Sequence, residues 1–126
     1  MSRSVFIVDD NSLVRRAVRT TFEAVTDFYV CGEAENGSEA VQQIEQLRPA
    51  PDLIILDVAM PVMNGLDAAR ILSRLMPTVP LILFSNYSDI SEDELRSAGV
   101  SLHVSKSAPV ASLLTAARGV LGEDAA

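Results

Sequence analysis

Five short apolar runs punctuate the chain, at residues 5–8, 28–31, 53–56, 81–84 and 100–104. The first, third and fourth are continuous rather than alternating, the pattern of strands buried on both faces of a parallel sheet. The second and fifth are more polar, as strands toward a sheet edge are. Between the runs the apolar spacing changes to the helical period. Leu13, Val14, Ala17, Val18, Thr21, Phe22 and Val25 share one face, with Arg15, Arg16, Arg19 and Glu23 elsewhere and Asn11 or Ser12 placed to cap. A second helix runs from Ser38, after an Asn36-Gly37 turn, turns Ala40, Val41, Ile44 and Leu47 inward, and is stopped by Pro49 and Pro51. A third follows Asn64-Gly65 and carries Leu66, Ala69, Ile71, Leu72 and Leu75. A short fourth has the capping-box pair Ser91 and Glu94 and ends at Gly99. A fifth starts at Pro109, a residue suited to a first helical position, and buries Val110, Leu113, Leu114, Ala117, Val120 and Leu121.

The order is strand then helix, five times. Parallel strands joined through helices take right-handed crossovers, so the expectation is an α/β fold with a doubly wound five-stranded parallel sheet and helices on both faces. At 126 residues the chain is expected to be one domain spanning 1–126, with its core at about 4–121 and no effector domain. The share of hydrophobic residues, 48%, excludes a disordered chain. Seventeen acidic against 10 basic residues, net charge −7, give no electrostatic grip on nucleic-acid phosphates or an anionic membrane. The single cysteine, Cys31, forms no internal disulfide or thiolate metal cage, and reads as a buried apolar side chain. No apolar run nears the ~18 residues of a membrane span, and residues 1–4 lead into a strand with no cleavage signal. A cytoplasmic protein is expected.

In an open α/β sheet, ligands meet the carboxyl ends of the strands. The first run ends in Asp9-Asp10, the third in Asp57, the fourth in Ser85 and the fifth in Ser105-Lys106. Three carboxylates, a hydroxyl and an ammonium thus converge on one rim. Two charges ~4 Å apart repel by about 4 kcal/mol even at an effective dielectric of about 20, so the cluster requires a cation or a shared proton. A hard oxygen site with few protein ligands suits Mg²⁺. Metal, lysine and hydroxyl together stabilise the equatorial oxygens of a phosphoryl group in transfer, and a carboxylate can act as nucleophile to form an acyl phosphate. Asp57 stands singly on the central strand, which favours it as nucleophile; Asp9 and Asp10 form a pair that can hold metal.

Those residues carry a family pattern. Val8-Asp9-Asp10-Asn11, the run from Asp57-Val58-Ala59-Met60-Pro61 to Val62-Met63-Asn64-Gly65, Ser85 after an apolar strand and Lys106 after the last strand occur in order. The chain resembles a CheY-like response-regulator receiver domain over about residues 5–121, and the resemblance implies the flavodoxin-like strand order. It implies Asp57 as phosphoacceptor, Asp9 and Asp10 as the Mg²⁺-binding pair, the Ala59 backbone carbonyl as a further metal ligand, Ser85 as the hydroxyl that moves to the phosphoryl group, and Lys106 as its ion partner. The donor is a phosphohistidine on a sensor histidine kinase or a histidine phosphotransfer protein, and the target is an unknown downstream protein. A homodimer through helix four, strand five and helix five belongs to the same expectation. The resemblance also implies a phosphoacceptor that catalyses its own phosphoryl transfer and slow autodephosphorylation, and no enzyme acting on other substrates is expected. Residues 31–37 also resemble receivers that carry a LuxR-type DNA-binding domain, which this sequence lacks, so transcriptional output within the chain is not expected.

Some positions depart from the pattern. His103, the only histidine, stands where the family usually has a switching Tyr or Phe; a lone histidine on a strand also reads as packed core. Ser107 replaces the usual proline after the lysine, so a trans bond is expected there. Asn86 is bulkier than the usual small residue and narrows access to Asp57, and Tyr87 is placed to gate water. Met60 and Met63 read as packing residues, and the acidic segment 89–94 as a solvated helix start. The departures at His103, Asn86 and Ser107 keep open a receiver-like interaction module independent of phosphorylation, and the fold by itself also admits a flavin carrier. For the latter the chain lacks a phosphate loop rich in Ser, Thr and Gly after the first strand.

Overall fold

The computed structural model describes residues 2–86 and 90–122. Strands β1 (Arg3–Val8), β2 (Phe28–Ala34), β3 (Leu53–Leu56), β4 (Leu81–Phe84) and β5 (Leu102–Val104) alternate with helices α1 (Ser12–Glu23), α2 (Gly37–Gln46), α3 (Gly65–Leu75), α4 (Glu92–Ser97) and α5 (Ser112–Val120). All pairings are parallel, in the order β2-β1-β3-β4-β5. The three continuous apolar runs are therefore the three central strands, and the two more polar ones lie at the edges, as their patterns require.

Side-chain alternation sorts the central strands onto two cores. Phe6, Val8, Ile54, Leu56, Leu81 and Leu83 pack with Ile44 of α2 and Leu72 of α3. Val5, Ile7, Leu53, Ile55, Ile82 and Phe84 pack with Val18 and Phe22 of α1 and Leu113 of α5. Asparagines open three helices: the side chains of Asn11, Asn36 and Asn64 accept N–H bonds at the starts of α1, α2 and α3. The capping box of Ser91 and Glu94 opens α4, and Gly99 ends it at a φ of +84°.

The structure corrects four details. α5 begins at Ser112, not Pro109: the Ser112, Leu113 and Leu114 amides bond to carbonyls three residues back, and Ala111 has no side-chain cap. β5 begins at Leu102, because the Val100 N–H is used by the Leu95 carbonyl at the exit of α4. β2 extends to Ala34. Leu13, 73% exposed, lies outside the core with Ala17 and Leu75. These three belong to apolar stripes wider than the arc each helix presses on the sheet. The peptide bond before Ser107 is trans, as expected.

Candidate functional site

The ladder continues past the ends of the strands and sets the site in a row. The Asp57 N–H donates to the Val8 carbonyl (3.0 Å), the Ser85 N–H to the Val104 carbonyl (3.1 Å), and the Lys106 N–H to the Ser85 carbonyl (3.3 Å). Each residue that leaves a strand is thereby fixed to the neighbouring strand. Gly65 completes the arrangement from the start of α3. Its N–H bonds to the Val58 carbonyl at 2.9 Å, and a Cβ there would collide with the Asp57 carbonyl oxygen. The glycine lets the helix seat against the strand end that carries Asp57.

Asp9 and Asp57 are buried and Asp10 is exposed beside them; one carboxylate oxygen from each lies within 4.8 Å of the others. Lys106 Nζ lies 2.8 Å from Asp9 Oδ2 and 3.2 Å from Asp57 Oδ2, bridging the two buried acids. Asp9 Oδ1 accepts the Asn11 N–H at 2.9 Å, and Asp57 Oδ1 accepts the Val58 N–H at 2.8 Å. Burial pushes the Asp9 carboxyl above its ordinary range, and the Asp57 charge adds to this, while the bonds from Lys106 and the Asn11 amide pull it back. Burial alone would lower the Lys106 ammonium; its contacts with Asp9 and Asp57 outweigh burial and raise it. One ammonium against three carboxylates leaves the cluster negative, and its donors are all hard oxygens, which fits a small divalent cation.

A recess of about 250 Å³ opens beside this cluster, lined by Asp57, Ala59, Ser85, Asn86 and Lys106, with Asp9 and Asp10 outside its lining. Asp57, the buried Ser85 and the half-buried Lys106 thus share one opening, and Asn86 stands exposed at its rim. His103 is half-buried with Nε2 3.2 Å from the Ser85 carbonyl, so the ring adjoins the site without lining its recess. Met60 and Met63 pack against the core, as expected of them. Cys31 is only half-buried, its thiol directed at the Val5 carbonyl at 3.5 Å. Tyr87 lies outside the described residues. Sequence reasoning gave no role to Arg15, set off the apolar face of α1: its Nη1 donates to the Asp9 carbonyl at 2.6 Å and its Nε to Glu33 Oε1 at 3.1 Å. Nothing in helical spacing distinguishes that arginine from Arg16.

The response regulator receiver domain model matches residues 5–118, a span that contains every one of these site residues. The chain belongs to that family. A receiver is the phosphoacceptor of two-component signalling, works with histidine kinases or phosphotransfer proteins, and passes the signal to downstream targets. The receiver domain of Thermotoga maritima CheB superimposes with a TM-score of 0.85 at 25% identity, over 97% of this chain and 98% of that one. Among curated proteins, a protein-glutamate methylesterase/protein-glutamine glutaminase of Nocardioides is 36% identical over 112 residues, 86% of this chain and 30% of that protein. One from Methanococcoides burtonii is 42% identical over 80 residues, 64% of this chain and 22% of its own length. The receiver thus spans about a fifth to a third of these relatives. Among the described residues no helix is long and apolar enough to cross a membrane.

Proposed function

We propose that Asp57 is the phosphoacceptor, that Asp9, Asp10, Asp57 and the Ala59 carbonyl hold Mg²⁺, and that Ser85 and Lys106 receive the phosphoryl oxygens. One observation carries this reading: the Lys106 ammonium touches both Asp9 and Asp57 where the recess opens. An Asp57 carboxylate oxygen attacks phosphorus, the P–N bond to the donor histidine breaks, and its electron pair leaves on the imidazole, which takes up a proton. The Val58 N–H on Asp57 Oδ1 holds the carboxylate in one orientation, with Oδ2 beside Lys106. Lys106, already placed, keeps an ion pair with the product, and the Ser85 hydroxyl donates to a phosphoryl oxygen. A bound Mg²⁺ supplies the positive charge that neutralises the transferring group.

On this reading the chain, with Mg²⁺ bound, catalyses its own phosphorylation, so a small phosphoryl donor suffices. His103, on the Ser85 carbonyl, carries the movement of Ser85 toward β5. The exchange is placed in the cytoplasm on the strength of the family. Intact mass after incubation with acetyl phosphate tests the assignment. The expected result is one added phosphoryl group in the presence of Mg²⁺, none after chelation, and none in Asp57→Asn. Labelling of Asp57→Asn to the level of the unsubstituted protein overturns it.

A further inference from the structure

Asp9 and Asp10 occupy the short link between β1 and the Asn11 cap of α1, a place where loop backbone has few ladder partners. The backbone of Asp9 is nevertheless held through both of its polar groups. Its N–H donates to the Ala34 carbonyl at 3.1 Å, and its carbonyl accepts Arg15 Nη1 at 2.6 Å. The other arm of that guanidinium is on Glu33, the residue before Ala34, and Glu33 Oε2 also takes Arg19 Nε at 2.6 Å. The end of β2 therefore grips Asp9 twice, once by backbone and once through Arg15. The Arg15 side chain is only 14% exposed, so solvent does not readily take its place. The Asp9 carbonyl lies before the α1 ladder, whose first acceptor is Asn11, bonded by the Arg15 amide. Without the guanidinium the peptide joining Asp9 to Asp10 loses this restraint, and the Asp10 carboxylate shifts relative to Asp9, whose own carboxylate stays on the Asn11 N–H and Lys106.

We infer that Arg15, oriented by Glu33, is a positioning residue for divalent-cation binding by Asp9 and Asp10, an inference that rests on the proposed Mg²⁺ site. Arg15 needs to be arginine because one planar group must serve a carbonyl and a carboxylate at fixed angles, which a lysine point charge does not do. Glu33, shared with Arg19, also offsets part of the guanidinium charge, which weakens its repulsion of a cation at the aspartates. The arrangement matches the usual role of groups that orient metal ligands without touching the metal, whose loss weakens binding by about 10- to 100-fold.

The test is an Mg²⁺ titration of the unphosphorylated protein followed by amide chemical shifts, with the Mg²⁺ dependence of acetyl phosphate labelling measured in parallel. Arg15→Met is expected to raise the half-saturating Mg²⁺ about tenfold, with labelling restored at saturating Mg²⁺. Arg15→Lys recovers only part of the loss. Glu33→Gln raises the half-point less, and adds nothing to Arg15→Met. Arg118→Met, which breaks an ion pair with Asp27 instead, serves as control: it lowers stability and leaves the half-point unchanged. A half-point in Arg15→Met within about twofold of the unsubstituted protein, against the loss expected of an orienting group, overturns the inference. So does a labelling defect that Mg²⁺ does not relieve. If Arg15→Met does not fold, Arg15→Lys and Glu33→Gln decide it. Normal Mg²⁺ binding without labelling of the unsubstituted protein counts against the phosphoacceptor reading alone, because the titration still judges Arg15.

Discussion

Asp9, the proposed metal ligand, is buried at a cost to the fold. Its carboxyl is raised above the ordinary value of 3.8, chiefly by burial, so ionising it is harder in the folded chain than in the unfolded one. The sign follows from proton linkage: the folded state holds the proton to higher pH, so this group lowers stability as pH rises through its folded pKa. Asp9→Asn is expected to stabilise the metal-free protein near neutral pH. The gain should vanish as pH falls below 3.8, where the aspartate is protonated in both states. If Asp9 holds Mg²⁺ as proposed, Mg²⁺ is expected to reverse the ranking, because it stabilises only a chain that binds it, by about 2.7 kcal/mol at roughly a hundred times the dissociation constant. Urea unfolding of both proteins across pH, with and without Mg²⁺, checks this; a metal-free Asp9→Asn less stable than the parent at neutral pH would count against a raised Asp9. The site was largely legible at this scale because chemistry-bearing side chains at strand ends are few and their types are diagnostic. Arg15 was not, because its role depends on where β2 ends, and no local pattern encodes that.

Among the elements, α4 is the least anchored: it is six residues long, and none of them is buried. Its start rests on a reciprocal pair, the Ser91 hydroxyl accepting the Glu94 N–H at 3.1 Å and the Glu94 carboxylate accepting the Ser91 N–H at 3.2 Å. Ser91→Ala is expected to cost about 1 kcal/mol of local helix stability. Amide exchange in α4 should accelerate while exchange in β1 and β3 changes much less. Equal acceleration in the central strands would show that α4 is not a separately opening unit. The same cap made α4 readable in the sequence despite its weak periodicity. α5 was misread at its start for the opposite reason. Pro109 suits a first helical turn, but the turn it begins is of the three-residue type, and no side chain marks where the α-helix takes over. The widths of the buried faces were also unreadable, since Leu13 and Val18 are both apolar residues of one stripe, yet the first is exposed and the second buried.

For the whole molecule, the decisive feature is that the central strands serve both layers. Ile54 and Ile55 are neighbours on β3, yet one packs with α2 and α3 and the other with α1 and α5. Neither layer retains its sheet if the other unfolds, so the two cores should melt together although they share no side-chain cluster. Ile44→Val on one side and Ile55→Val on the other are each expected to cost about 1 kcal/mol. Both residues are almost fully buried, and each change leaves a methyl-sized void. The costs should sum to within about 0.5 kcal/mol in the double variant, since the side chains lie on opposite faces of the sheet. Far-ultraviolet circular dichroism and amide NMR should then report a single urea transition, displaced as a whole in each variant. Separate transitions for amides of the two layers would mean that the β1, β3 and β4 ladder does not couple them. In that event the aspartates at the ends of those strands could lose their alignment without the chain unfolding.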